Sequence, residues 1–276
     1  MKLITDTGSI MSQQEAKDLD IILLPLQVAV DGKNYRDYFE LDADKFVEMI
    51  QTSVPASSQP AIGEVMEAYD SVDEALHIAM TKGLSATYDS ALGIIEGNDI
   101  KHIKLFNSKT LAGTQKYLVR LAARLIKDKP VDEIVERMNK CLSQCQSYLI
   151  PNDFSFLRRG GRLSPLAATL GGLIKLKPIV TQTEGSEKLE KLGYGRTWNQ
   201  AIDRIIDKML ENGVNHDHMV FISHSQNKDV ANNAASRIKD RFENIEIEIM
   251  ELSPVMITQG GPGCVAVQYI LKDKEN

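Results

Sequence analysis

The stretch Ala75–Ala91, ALHIAMTKGLSATYDSA, begins with an apolar run, passes through a polar turn and enters what its spacing predicts to be a helix. The same order follows at once, because Ile103–Phe106 is typical of a strand and Tyr117–Ile126 carries apolar residues at helical spacing. A repeated order of strand, loop and helix predicts a parallel sheet covered by helices on both faces.

The segments before this stretch fit the same arrangement. The polar turn Thr5–Ser9 ends a short buried strand, and Ser12–Glu15 matches the capping-box pattern that begins a helix. The β-rich run Ile21–Val30 contains Pro25, which indicates either an edge position or a crossing between two short strands. Asp31-Gly32 is a tight-turn signal, and Pro60 is expected at the first position of a later helix.

The pattern changes after Tyr148. Strands are predicted near Lys177–Val180, Met219–Ile222, Ile245–Met250 and Val265–Leu271, with two amphipathic helices between them. This mixture suits an α+β domain. We therefore expect an N-terminal α/β domain with a parallel sheet, residues 1–148, and a C-terminal α+β domain, residues 149–276.

Composition narrows the class of function. The chain has 276 residues, 43% hydrophobic and 25% charged, as in ordinary globular proteins, and its formal net charge of -6 argues against a dedicated nucleic-acid binder. Cys141, Cys145 and Cys264 suggest reduced core thiols rather than a metal site or a disulfide framework. The start lacks a signal-peptide pattern, and no apolar run approaches the ~18 residues of a membrane span. The expectation is a cytoplasmic protein without membrane insertion.

Polar loops mark where a ligand could bind, because open parallel sheets bind ligands outside the carboxyl ends of their strands. Three such loops are Thr5–Ser9, Ser57–Gln59 and Gly83–Thr87. Ser85, near the first turn of its helix, could contact an anion with its hydroxyl or could simply cap the helix.

Two glycine-rich segments leave alternatives open. Leu157–Pro165 lacks the Lys-Ser/Thr ending of a phosphate-binding loop, so its arginines suit an acidic partner surface or a solvated turn. Ile257–Gly263 could approach a ligand closely or could be a turn between strands. The histidines do not cluster with cysteines or carboxylates, and no acid/base pair stands out. The residues indicate anion recognition without evident catalytic or metal-binding machinery.

Six segments together resemble one family. They are LITDTGS, LPLQVAVDGKNYRD, SSQPA, GLSATYDSA, FLRRGGRLS and ITQGGPG, and they occur in the order and approximate spacing of the DegV family of bacterial fatty-acid-binding proteins. The resemblance implies an N-terminal α/β domain and a C-terminal α+β domain with one long-chain fatty acid between them. It also implies a non-catalytic protein that presents this acid to a separate fatty acid kinase, which makes acyl phosphate for phospholipid synthesis. No other cofactor is implied.

The resemblance assigns roles to particular residues. Ser57 stands at the family's carboxylate-contacting threonine, and Ser85 at the serine that contacts the other carboxylate oxygen. Gln259 stands where many members have histidine; an amide still donates a hydrogen bond but carries no charge.

Partner docking is expected from basic residues, namely Arg158, Arg159 and Arg162 of the glycine-rich segment together with Arg196. Kinase-presenting members often show an Arg-x-Arg pair where this chain has Tyr194-Gly195-Arg196, so one basic residue is lost. Candidate tunnel-lining residues are Leu166, Leu170, Leu173 and Ile174. The competing hypotheses are a binding protein for another amphiphile, or a hydrolase or phosphotransferase subunit that uses Ser85.

Overall fold

The computed structural model describes residues 1–164, 176–183, 185 and 187–274 of the chain. Its strands are β1 (Lys2–Asp6), β2 (Ile21–Leu24), β3 (Gln27–Val30), β4 (Lys33–Arg36), β5 (Ala56–Ser58), β6 (Ala75–Ala79), β7 (Ile103–Asn107), β8 (Cys145–Ile150), β9 (Lys177–Gln182), β10 (Leu189–Gly195), β11 (His218–His224), β12 (Glu246–Glu251) and β13 (Val265–Leu271). Its helices are α1 (Gln13–Asp18), α2 (Ala43–Met49), α3 (Ile62–Asp70), α4 (Thr87–Gly97), α5 (Ala112–Leu125), α6 (Val131–Leu142), α7 (Phe154–Arg159), α8 (Trp198–Glu211), α9 (Lys228–Lys239) and α10 (Pro254–Gly260).

The N-terminal half contains the predicted parallel sheet, in the order β2-β1-β6-β7. Every residue of β6 is buried, which explains why the strand is apolar except for His77, whose Nδ1 lies 2.7 Å from the Tyr69 hydroxyl. Leu3 of β1 packs with α5 and α6, whereas the next residue, Ile4, packs with α3 and α4. Because successive strand residues point to opposite faces, helices cover both sides, as predicted.

A second, antiparallel sheet of three strands, in the order β4-β3-β5, was not predicted from the sequence. Pro25 lies between β2 and β3, where the chain leaves the parallel sheet and crosses to the second sheet, so the crossing between two short strands is confirmed and Pro25 is not within an edge strand. Asp31-Gly32 forms the predicted tight turn, with φ values of 51° and 76°. The chain then places Ser57 of β5 opposite Val28 of β3.

The C-terminal half forms a six-stranded mixed sheet, in the order β10-β9-β8-β13-β11-β12. Only β11 and β12 pair in parallel, as expected for an α+β arrangement. The four strands predicted after residue 148 are all present. Helices α8 and α9 cover one face of this sheet, with Ile205 and Ile238 fully buried in its core.

The two halves share a layer of helices. Buried residues of α5 and α6 pack against the parallel sheet and also against Phe221 of β11 and Ile270 of β13. A charged cluster supports the same junction, because Lys116 and Arg120 of α5 contact both Glu15 and Glu248. The predicted boundary between residues 148 and 149 falls inside β8, which pairs with β13 from Cys145 to Ile150. A boundary before Cys145 would keep this strand whole, and the division into two domains stays a prediction.

The start of α1 follows the predicted capping box, whereas the start of α3 departs from the prediction. The Ser12 side chain accepts a hydrogen bond from the Glu15 backbone N–H at 3.1 Å, as the capping box requires. Asp42 similarly caps α2 through the Lys45 N–H at 2.8 Å. The prediction that Pro60 begins a helix is wrong, because α3 begins at Ile62.

Candidate functional site

A cavity of about 550 Å³ lies between the carboxyl ends of the parallel strands and the C-terminal sheet. Leu84 follows β6 and Leu111 follows β7 on one side, while Leu149 of β8 and Val255 of α10 lie on the other. The wall is mostly apolar and also carries polar side chains, chiefly Ser and Gln, a combination that is typical of a small-molecule site. The cavity therefore occupies the position at which the parallel sheet predicts a ligand.

The three side chains expected to contact a carboxylate, Ser57, Ser85 and Gln259, all line this cavity. Gln259 Nε2 donates a hydrogen bond to Ser57 Oγ at 3.1 Å, across 202 positions of sequence. Since the Ser57 oxygen accepts from the amide, its own O–H remains able to donate to a ligand. The structure thus brings together residues from three separate sequence motifs.

Ser85 lies just before α4, and the two interpretations of it are compatible. Its Oγ accepts a hydrogen bond from the Thr87 backbone N–H at 3.3 Å and lies 2.8 Å from Thr87 Oγ1. The hydroxyl therefore supports the first turn of α4, although the residue at the N-cap itself is Ala86. Because Ser85 also lines the cavity and is only half-buried, the same oxygen is accessible to a ligand.

Gln259 belongs to α10, so the predicted glycine loop is helical from Ile257 to Gly260. A Cβ atom added to Gly160 would lie 1.9 Å from Gln259 Oε1. This amide oxygen is buried and has no hydrogen-bond partner among the described residues. Gly160 therefore leaves room for the Gln259 side chain to take the orientation in which its Nε2 reaches Ser57.

The arginines proposed for partner docking occupy different environments. Arg158, Arg159 and Arg196 are exposed, and Arg159 stacks over the Phe156 ring at 4.6 Å. Arg162 instead lines the cavity, where its Nε donates to the Leu84 carbonyl at 3.1 Å. Burial lowers the pKa of Arg162, yet a guanidinium remains charged at any physiological pH. One of the four arginines thus places a positive charge in the cavity wall beside the Leu84-Ser85 turn.

The polar loop Thr5–Ser9 is buried and does not line the cavity. Asp6 Oδ2 accepts the Met80 backbone N–H at 2.7 Å, and its Oδ1 accepts the Gly8 N–H at 2.9 Å. Desolvation raises the pKa of Asp6 to about 6. This loop supports the cavity indirectly, because Met80 is part of the wall.

Asp37 is a second buried carboxyl that supports the cavity wall. No role for this residue was predicted from the sequence. Its Oδ1 accepts the Val255 backbone N–H at 3.1 Å, which connects the end of β4 to the start of α10. Desolvation raises the pKa of Asp37 to about 7, with a smaller contribution from the charge on Asp6. No local pattern marks this residue, because its partner lies 218 positions away.

Comparisons with known proteins settle the family. Residues 1–272 match the family model described as "Uncharacterised protein, DegV family". The chain belongs to the DegV family. Among curated DegV relatives, the DegV domain-containing protein lmo2514 of Listeria monocytogenes is 27% identical over 283 residues, which cover 98% of this chain and 98% of the relative.

Solved DegV structures share the fold. A DegV family protein from Thermus thermophilus, described as fatty acid binding, superposes with a TM-score of 0.89 at 21% identity, covering 98% of this chain and 99% of that one. DegV from Bacillus subtilis, described as a fatty acid binding protein, gives a TM-score of 0.84 at 25% identity with the same coverage. The predicted fold class, an α/β part with a parallel sheet and an α+β part, is confirmed by these matches.

Three further expectations for this DegV chain concern metal sites, membrane-spanning helices and tunnel-lining residues. Within the described residues, no group of three or more His, Cys, Asp or Glu side chains is arranged to hold a metal ion. None of the described helices is long and apolar enough to cross a membrane. The predicted tunnel-lining residues Leu166, Leu170, Leu173 and Ile174 lie outside the described residues.

Proposed function

We propose that this chain binds a long-chain fatty acid in the cavity and presents its carboxylate to a separate fatty acid kinase, which converts it to acyl phosphate for phospholipid synthesis. The observation that carries the proposal is the mostly apolar cavity in which Ser57, Ser85 and Gln259 supply hydrogen-bonding groups. Two structurally similar DegV proteins are described as fatty acid binding, which supports the same ligand class here.

The composition of the cavity wall indicates how the binding energy divides between the acyl chain and the carboxylate. Burying one methylene stabilises a complex by about 0.8 kcal/mol, so a long acyl chain contributes on the order of 10 kcal/mol before ordering costs. A hydrogen bond to a carboxylate contributes about 1.5–3 kcal/mol. The apolar wall therefore sets affinity, while Ser57 and Ser85 determine which end of the acid faces out. Arg162 adds a favourable charge for an anionic head group.

The cavity composition disfavours the hydrolase alternative. A serine nucleophile needs a base within hydrogen-bond reach. The described residues that line the cavity include no His, Asp, Glu, Cys or Lys, and Ser85 Oγ contacts Thr87 instead. A non-catalytic role is therefore the better explanation, with phosphoryl transfer carried out by the partner.

Exposed arginines support the proposed kinase contact. Arg158 and Arg159 end α7, the helix next to Gly160, and Arg196 follows β10 on the surface. Exposed cations of this kind steer an acidic partner and contribute more to association rate than to affinity. They suit a transient contact with the kinase, one that forms and breaks each time a fatty acid is presented.

Native mass spectrometry of the purified protein tests the proposal. We expect an added mass equal to that of a long-chain fatty acid, and loss of this mass on delipidation. An empty protein with esterase turnover would support the Ser85 hydrolase, and a co-purifying lipid without a carboxyl group would support the other amphiphile. Either result would overturn the fatty-acid assignment.

A further inference from the structure

Three polar side chains form a row across the C-terminal sheet where it faces the cavity. Ser147 of β8 pairs with Gln268 of β13, and Gln182 of β9 adjoins the Tyr148–Thr181 pair on the opposite side of β8. All three residues line the cavity, and all are 9% exposed or less. An unsubstituted hydrocarbon chain offers no hydrogen bond to such groups, and burying a polar group without a partner costs free energy.

The adjacent row on the same three strands is apolar. It consists of Leu149, Val180 and Ala266, which pair with one another across β8 and also line the cavity. This apolar row lies next to α10, because a Cβ atom on Gly260 would approach Leu149 Cδ1 at 3.6 Å. A ligand extending along the sheet from Gln259 therefore meets the apolar row first and the polar row farther on.

Gln268 uses its amide fully within the protein. Its Nε2 lies within hydrogen-bond distance of the Leu111 carbonyl at 3.0 Å, Thr114 Oγ1 at 3.2 Å and Ser147 Oγ at 2.7 Å. Its Oε1 accepts the Gly113 backbone N–H at 3.0 Å. Gln268 thus joins the sheet to the start of α5. Because Ser147 Oγ accepts a hydrogen bond from the Gln268 amide, the Ser147 O–H must donate to some other group.

Ser147 and Gln182 retain unused hydrogen-bonding capacity. Among the residues that the structure describes, none accepts a hydrogen bond from the Ser147 O–H. Gln182 makes one long contact, from Nε2 to the Lys109 carbonyl at 3.5 Å, and its amide oxygen has no partner in the described part of the chain. The row therefore presents one hydroxyl donor and one amide acceptor on the neighbouring strands β8 and β9.

We propose that this row selects an acyl chain that carries a hydroxyl group along its length, a hydroxy fatty acid. The inference rests on the proposed fatty-acid function and specifies the ligand class of the same cavity. A ligand hydroxyl both accepts and donates, so it accepts from Ser147 Oγ and donates to Gln182 Oε1. A plain methylene at this place displaces water from both groups and pairs with neither.

The size of the expected preference follows from that mismatch. Leaving one buried hydrogen-bonding group unpaired corresponds to roughly ten- to a hundredfold in affinity. Sites built to hydrogen-bond a ligand hydroxyl discriminate strongly against the analogue that lacks it, whereas an added methylene changes affinity much less. We expect a matching hydroxy acid to bind at least about tenfold tighter than the unsubstituted acid.

Competition measured by native mass spectrometry tests this preference. Delipidated protein is offered equimolar stearic, 10-hydroxystearic and 12-hydroxystearic acids, whose masses distinguish the hydroxylated acids from the plain one. The proposal predicts that hydroxy acid dominates the bound population by about tenfold or more. If stearic acid occupies the protein equally or better, the proposal is wrong while the fatty-acid function stands. If the protein binds none of the three acids, the fatty-acid function itself fails, and this inference with it.

Two variants connect the preference to the row. Ser147→Ala, alone and with Gln182→Leu, is expected to reduce the preference to within about threefold while stearic acid still binds, which also shows that the variant is folded. Ser143→Ala is the matched control, because Ser143 is exposed at the end of α6, and it should keep the wild-type preference. An unchanged preference in both Ser147 variants would refute the role of the row.

Discussion

Replacing Gly160 with alanine tests whether Gln259 orients the head-group site. Gly160 follows α7 with φ -61° and ψ -22°, a conformation that alanine adopts without strain. The added Cβ would lie 1.9 Å from Gln259 Oε1 and 3.3 Å from the Leu157 carbonyl. The first distance is far inside van der Waals contact, so the Gln259 side chain must rotate away.

The rotation should break one hydrogen bond and little else. Gln259 Nε2 would lose its 3.1 Å contact with Ser57 Oγ, and a neutral hydrogen bond contributes about 1 kcal/mol. Fatty-acid affinity is therefore expected to fall roughly five- to tenfold. Global stability should change by less than about 1 kcal/mol, because alanine at a compatible glycine position restricts the unfolded chain and offsets part of the loss.

Displacement of a fluorescent fatty acid, together with thermal unfolding, measures both quantities. Gly93→Ala in α4 is the control, because a Cβ atom there meets no other group within 4 Å. In a Gln259→Ala background, Gly160→Ala should have no further effect on affinity, since the clashing atom is gone. If it lowers affinity equally in both backgrounds, Gly160 does not act through Gln259.

Three further predictions concern the head group, the partner and pH. Ser85→Ala should lower fatty-acid affinity at least about tenfold and stability by only about 1 kcal/mol, and unchanged lipid retention would refute its role. Arg158→Glu should slow acyl phosphate formation by the kinase without loss of bound lipid. The control Lys239→Glu, at another exposed residue, should leave the rate of acyl phosphate formation unchanged. Equal turnover with both variants would exclude docking at Arg158. Because burial raises the pKa of Asp37 from 3.8 to about 7, its contribution to stability is present below about pH 4 and lost as the pH rises through about 7. Relative to wild type, Asp37→Asn should therefore gain stability, on the order of several kcal/mol, as the pH rises from about 4 to 8 in chemical denaturation. Parallel pH profiles of the two proteins would contradict the assignment. Asp6, whose pKa burial raises to about 6, and His77, whose pKa burial lowers to about 3, titrate in both proteins, so their own contributions largely cancel.

Strong local signals made much of the fold predictable from sequence. The mostly apolar run of β6 and the caps at Ser12 and Asp42 are encoded within a few residues of where they act. The three-stranded sheet was missed because β5 is only three residues long and its pairing joins Ser57 to Val28, which no local pattern indicates. Helix α10 was missed because it spans seven residues and ends in glycine, although Pro254 in its first turn was a usable start signal.

The candidate site likewise has features that the sequence predicted and features that it did not. The family motifs predicted Ser57, Ser85 and Gln259 one segment at a time, but the hydrogen bond between Ser57 and Gln259 joins residues 202 positions apart. Asp6 illustrates the opposite difficulty. Its loop has the composition of an exposed turn, yet the carboxyl is fully buried, where it accepts hydrogen bonds from the backbone N–H groups of Gly8 and Met80. Local pattern cannot reveal such long-range pairing.

A crystal structure of the protein with bound fatty acid would test the central claim most directly. We expect the carboxylate oxygens to lie within about 3.2 Å of Ser57 Oγ and Ser85 Oγ, with the acyl chain over Leu149 and Val180. A carboxylate bound elsewhere, or an acyl chain outside the cavity, would contradict the assignment of these residues and of the function built on them.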